Sequence, residues 1–134
     1  MPSAKSLRIA YMGTPDFAVP ALEALIESHH EVVGVFTQPD RESGRGKKLR
    51  PPPVKMAALD HDIAVFQPDS VDASEAVETL RKWNPDVAVV AAYGQILPDE
   101  LLEVPRLGCV NIHASLLPKS RGAAPINWAI VEGE

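Results

Sequence analysis

Asn111 and His113 stand two residues apart in 108–113, a short apolar run written GCVNIH. Such a run reads as a strand. Side chains alternate across a strand, so both polar groups are expected on one face. An imidazole titrates near neutral pH and can relay a proton or polarise a carbonyl-derived group. A carboxamide can donate its N–H to an oxyanion, and losing one such donor typically costs about 2.7–4 kcal/mol of transition-state stabilisation. Together they point to acyl transfer. A buried polar pair that merely satisfies loop backbone is the plainer alternative. The pair's place at the carboxyl end of a strand, where open α/β sheets bind ligands, favours a site. No serine sits in a nucleophile elbow, and Cys109 faces its strand with no turn to expose it. Direct attack by a substrate amine is therefore expected, without a covalent acyl-enzyme.

Other chemistries fit less well. The turn GTPD at 13–16 has one glycine where a dinucleotide-binding G-x-G-x-x-G needs three. The run GRGKK at 44–48 lacks the spacing of a phosphate loop and does not lie between a strand and a helix N-terminus. His29 and His30 are adjacent and expected to point apart at a helix end, and His61 is expected in a solvated turn, so no metal site is expected. The single cysteine, Cys109, excludes an internal disulfide and a Cys-based zinc cluster. It is expected as a small core residue.

Alternating strand and helix patterns must position the Asn111–His113 pair. Strands are expected at 7–12, 31–37, 63–66, 87–92 and 108–113. Helices are expected at 16–28, 54–60, from a cap at Asp69 or Ser70 to Trp83, from Pro98 to Glu103, and at 124–132. The run 87–92 is almost wholly apolar, as in a strand buried on both faces. Repeated strand–helix–strand units imply an α/β domain, a mostly parallel sheet with helices on both faces. Its ligand edge would comprise 13–17, 38–55, 92–97 and 111–118.

The 134 residues fit one domain, and 46% apolar and 23% charged residues argue against disorder. Residues 41–55 hold Arg41, Arg45, Lys47, Lys48, Arg50 and Lys55 against Glu42 alone, so this segment is basic within a chain whose net charge is −5. With Gly44, Gly46 and Pro51 to Pro53 it reads as a flexible tip with a stiff exit, suited to a phosphate backbone. The start lacks the apolar core of a signal peptide, and no run reaches the 18 or so residues of a membrane span. A cytoplasmic protein is expected, in a bacterial-type cytosol or an organelle, with no membrane partner.

The run NIHASLLP at 111–118 resembles the Asn-x-His-x-Ser-Leu-Leu-Pro signature of the folate-dependent formyltransferases. The blocks MGTPDFAVP at 12–20, AYGQILP at 92–98, GCVNIHASLLP at 108–118 and RGAAPIN at 121–127 resemble the branch acting on methionyl-tRNA. The basic loop, with GRGKK at 44–48 and PVK at 53–55, matches that branch's insertion after the second strand. The resemblance spans essentially the whole chain. It implies a Rossmann-like formyltransferase fold and transfer of a formyl group from 10-formyltetrahydrofolate to the α-amine of methionyl initiator tRNA. Asn111 and His113 would be catalytic. Ser115, Leu116, Leu117 and Pro118 would line the folate pocket, with Tyr93 and Gly94 nearby. Phe17 would face the methionyl side chain. Arg41, Arg45, Lys47, Lys48 and Arg50 would grip the tRNA.

Two departures follow from the resemblance. Ser120 stands where the family usually has an aromatic. The family's catalytic aspartate, the rest of its catalytic domain and its C-terminal barrel would lie beyond Glu134. Residues 1–134 are thus expected to be the N-terminal part of the catalytic domain, inactive alone, of a protein monomeric at full length. The alternatives are a formyltransferase acting on glycinamide ribonucleotide or an amino sugar nucleotide, and a non-catalytic folate- or RNA-binding module.

Overall fold

In the chain's computed structural model the described residues are 6–43, 46, 48–71, 74–114 and 126–131. Their elements run β1 (Arg8–Gly13), a 3-10 turn (Asp16–Ala18), α1 (Val19–Glu27), β2 (Glu31–Phe36), β3 (Arg41–Ser43), β4 (Lys48–Arg50) and α2 (Pro53–Asp60). There follow β5 (Val65–Phe66), α3 (Ser74–Trp83), β6 (Val87–Ala91), α4 (Asp99–Leu102), β7 (Cys109–Ala114) and β8 (Ile126–Val131). The main sheet has the order β5-β2-β1-β6-β7-β8. The first five are parallel, and β8 runs antiparallel to β7. The Rossmann-like α/β expectation holds.

The strand pattern explains the layering. All five residues of β6 are buried, because it lies between neighbours with helices on both faces. Ala10, Met12, Ala88, Val90 and Cys109 pack against Ala76, Val77 and Leu80 of α3 and Leu101 and Leu102 of α4. On the opposite face Ile9, Tyr11, Val87, Val89 and Ile112 pack against Leu22 of α1 and Val54, Ala57 and Ala58 of α2. Pro20 is accommodated in the first turn of α1, where an unpartnered N–H is not lost. Trp83 lies flat over Gly34, so that a Cβ there would sit 2.5 Å from the indole. Phe36 meets Trp83 and Phe66 edge-on, with centroids 5.3 and 5.1 Å apart.

Three expectations are corrected. Residues 124–132 were expected helical, yet Ile126–Val131 forms β8. Ile126, Trp128, Ile130 and Val131 are good strand formers, and the backbone edge of β7 offers a ladder that outweighs local helical spacing. The basic loop is not simply a flexible tip, because Arg41–Ser43 pairs antiparallel with Lys48–Arg50. α3 is described from Ser74 onward, its expected cap at Asp69 or Ser70 adjoins residues outside the described ones, and Val71, Ala76, Val77 and Leu80 are buried as expected. His29 and His30 do not point apart. Their rings lie 3.9 Å apart in an irregular turn where strand alternation does not apply.

The amino ends of the strands are tied by Asp86. One carboxylate oxygen accepts from the Arg8 N–H at 2.8 Å, and the other accepts from Arg106 Nε at 2.9 Å. The Asp86 N–H in turn donates to Arg8 O at 2.7 Å. These bonds, that from the Arg8 backbone foremost, hold the Asp86 carboxyl below its usual value of 3.8. A lowered carboxylate pKa stabilises the fold fully above the unfolded value, and that contribution is lost as pH falls through the folded one. Urea melts should therefore show stability falling below pH 3.8, with a shallower fall in Asp86→Asn. An unchanged acid limb would contradict the tie. Gly34→Ala should lose about 1–3 kcal/mol to overpacking against Trp83, read as a lower urea midpoint at constant m.

Candidate active site

The chain visits β1, β2 and β5 in one direction across the sheet, and then β6 and β7 in the other. The switch point lies at the carboxyl ends of β1 and β6, where open α/β sheets bind ligands. Gly13 ends β1 so close to β6 that a Cβ would lie 2.8 Å from Ala91 O. After β6 the chain turns sharply through Ala92 (φ 56°) and Gly94 (φ 101°), both in the left-handed region. Gly94 needs its missing Cβ, which would stand 2.7 Å from Gln38 Nε2.

The turn is pinned by its carbonyl. Tyr93 O accepts from Thr14 Oγ1 at 2.8 Å and from Gln38 Nε2 at 3.2 Å. Gln38 also accepts from Gln95 Nε2 at 3.1 Å, and Gln95 accepts from the Val71 N–H at 2.9 Å. This polar lattice joins the ends of β1, β2 and β6.

Two cavities open beside the lattice. One, of about 190 Å³, lies between the sheet and the 95–102 segment and is lined by Val90, Gln95, Leu97, Leu102, Cys109 and Asn111. The other, of about 350 Å³, is lined by Phe17, Val90, Ala92, Tyr93, Gln95, Asn111 and Ile112. Val90, Gln95 and Asn111 line both. Asn111 thus stands where material in one cavity meets material in the other. That arrangement suits transfer of a group between two bound molecules.

Phe17 is 36% exposed and lines the larger cavity, as does Tyr93, while Gly94 shapes the turn. His113 lies in β7 with its backbone opposite Asn127. Its side chain lies outside the described residues, as do Ser115, Leu116, Leu117, Pro118 and Ser120. Arg41, Lys48 and Arg50 are exposed on the β3–β4 hairpin, with Arg41 directly opposite Arg50, whereas Arg45 and Lys47 are not described. The hairpin is anchored where Lys55 Nζ meets Asp40 Oδ1 at 3.1 Å and Gln67 Nε2 donates to the same oxygen at 2.7 Å. The Gln67 bond, then the Lys55 bond, holds the Asp40 carboxyl below its ordinary range. Burial pushes the Cys109 thiol up to about 11, which keeps it protonated at neutral pH and a poor nucleophile. Among the described residues no group of three His, Cys, Asp or Glu could hold a metal ion, and no helix is long and apolar enough to cross a membrane.

Sequence reasoning missed Thr14, Gln38, Gln67 and Gln95. Uncharged amides and a lone hydroxyl carry no spacing or charge signal, and only the topology brings them together.

A parallel sheet with a cleft at its switch point defines an open α/β domain. Residues 7–134 match the family described as formyl transferase, and the chain belongs to that family. The chain is 59% identical over 128 residues to methionyl-tRNA formyltransferase of Alkaliphilus oremlandii, covering 96% of this chain and 41% of that protein. It is 61% identical to the same-named protein of Geobacter metallireducens, with the same coverage. The chain thus spans about two-fifths of these relatives' length. Among solved structures it is similar to a phosphoribosylglycinamide formyltransferase from Anaplasma phagocytophilum, with TM-score 0.66 and 19% identity, covering 97% of this chain and 67% of that one. It is also similar to glycinamide ribonucleotide transformylase 1 from Symbiobacterium toebii, with TM-score 0.67 and 15% identity, covering 96% and 68%. These two support the fold.

Tyr93 contributes through its carbonyl and ring. Its hydroxyl is buried without a hydrogen-bond partner among the described residues. An unpaired buried hydroxyl gains the fold nothing, so Tyr93→Phe should keep or slightly raise the thermal midpoint. A drop equivalent to more than about 1 kcal/mol would reveal a partner for the hydroxyl.

Proposed function

We propose that this chain supplies the formyl-donor half of an enzyme transferring a formyl group from 10-formyltetrahydrofolate to the α-amine of methionyl initiator tRNA. The observation that carries the reading is Asn111 on the wall common to both cavities. The narrower, more apolar cavity against Leu97 and Leu102 takes the folate ring. The wider one, with Phe17 at its edge, takes the methionyl end. The identities of 59% and 61% to methionyl-tRNA formyltransferases support the tRNA acceptor over a nucleotide one. The whole reaction belongs to a polypeptide of the relatives' length, in which residues 1–134 are the first part of the catalytic domain and a smaller barrel follows. That protein works as a cytosolic monomer.

In the proposed chemistry the amine nitrogen attacks the formyl carbon and forms the new C–N bond. The carbonyl pair moves to oxygen, and Asn111 donates to that oxyanion. The intermediate collapses by breaking the bond from carbon to N10 of the folate, and the proton leaving the amine reaches N10 through His113. No acyl-enzyme forms, in keeping with the buried, protonated Cys109. Ser115, Leu116, Leu117 and Pro118 complete the folate pocket, whereas Tyr93, expected beside it, lines the wider cavity. Arg41, Arg45, Lys47, Lys48 and Arg50 hold the tRNA backbone.

Calorimetric titration with 5-formyltetrahydrofolate, a stable reduced formyl-folate, tests the donor half. Saturable one-to-one binding is expected, and Leu97→Trp, which fills the cavity, should abolish it while the chain stays folded. No binding by the folded native chain, or full binding by Leu97→Trp, would overturn the assignment. Binding of an RNA acceptor stem should weaken steeply with salt, and replacing Arg41 and Arg50 by Ala should flatten that dependence. An unchanged slope would remove the hairpin from the interface.

A further inference from the structure

We propose that Gln38 is a positioning residue, holding Gln95 in the wall that the two cavities share. Gln38 is 7% exposed and lines neither cavity, so it acts through its partners. Its side chain is fixed at both ends. Nε2 donates to Tyr93 O and Oε1 accepts from Gln95 Nε2, at 3.2 and 3.1 Å. The amide has one workable orientation, because a backbone carbonyl can only accept. Its main chain is fixed too. The Gln38 N–H donates to Thr14 Oγ1 at 3.3 Å, and its carbonyl accepts from Gln67 Nε2 at 3.0 Å.

Gln95 has what a placed wall residue needs. Its Oε1 accepts from the Val71 N–H, and its Nε2 reaches both Gln38 and Asp69 O. The side chain therefore crosses from the 69–71 segment to the end of β2 and borders both cavities on the way. Gly94 belongs to the same device, since any Cβ there would displace the Gln38 amide. The lattice continues through Gln67 to Asp40, which grips Lys55 beneath the basic hairpin. The wall and the root of the hairpin thus share one set of hydrogen bonds. Partly buried networks of this kind act as units, and pairwise deletions within them are non-additive.

Cys109 provides a readout independent of the functional reading. It is the chain's single cysteine, it is 1% exposed, and it lines the smaller cavity together with Gln95. Its alkylation rate by iodoacetamide at fixed pH, corrected for global unfolding measured in urea, reports how often that wall opens. Gln38→Met and Gln95→Met should each raise the corrected rate about threefold to tenfold, the change expected for losing one or two neutral hydrogen bonds. The double variant should be no faster than the faster single one, because Gln38 acts through Gln95. A native rate in Gln38→Met, or multiplicative effects in the double variant, would overturn the proposal. Should Gln38→Met fail to fold, Gln38→Glu takes its place in the same comparison. It keeps an acceptor for Gln95 and loses the donor to Tyr93 O, so a faster rate supports the proposal and a native rate overturns it. A second arm rests on the folate reading, with 5-formyltetrahydrofolate affinity expected to fall about threefold to tenfold in Gln38→Met. If the native chain binds no folate, that reading fails, while the alkylation rates still decide the role of Gln38.

Discussion

One backbone carbonyl organises the site. Tyr93 O lies just past the central strand β6 and accepts from two side chains, Thr14 just past β1 and Gln38 just past β2. β2, β1 and β6 run parallel, and beyond the ends of their ladders the exiting segments need a further tie. A buried carbonyl with both acceptor positions filled gives them one, because breaking either bond leaves a polar group unpaired away from water. The left-handed turn at Ala92 and Gly94 carries this carbonyl, and through Gln38 the same bonds reach Gln95. Behind it stands the doubly covered sheet, whose apolar faces supply the rigidity that the polar edge uses.

Much of this was legible in the sequence. The apolar run of β6 announced a central strand, and the run holding Asn111 and His113 announced its neighbour β7. The signature around them carried the family. The charge run 41–55 announced a basic surface, although its hairpin ladder was not visible, because strands of three residues leave no periodicity. Residues 126–131 misled for a related reason. Their apolar positions suit either period, and the choice was made by the neighbouring edge of β7. The glutamine lattice was invisible, since an amide gives no charge signal and its partners lie 24 to 57 residues away.

The basic hairpin and the cleft share a root. Lys55, Asp40 and Gln67 bind the start of α2, the exit of β2 and the segment after β5. The Asp40 carboxyl is held below its ordinary range because Gln67 and Lys55 both favour its charged form. The positive charge of Arg41, Lys48 and Arg50 is therefore carried on a scaffold continuous with the site, and a long anionic ligand held there would approach the cleft from a fixed side.

The central claim is that Asn111, on the wall between two cavities, stabilises the oxyanion of formyl transfer. The most direct test is the single-turnover rate of formyl transfer from 10-formyltetrahydrofolate to methionyl-tRNA. It compares native and Asn111→Ala enzymes of the relatives' length. The rate should fall about 10²–10³-fold with little change in affinity for either substrate. A native transfer rate, or a loss confined to substrate binding, would contradict the claim.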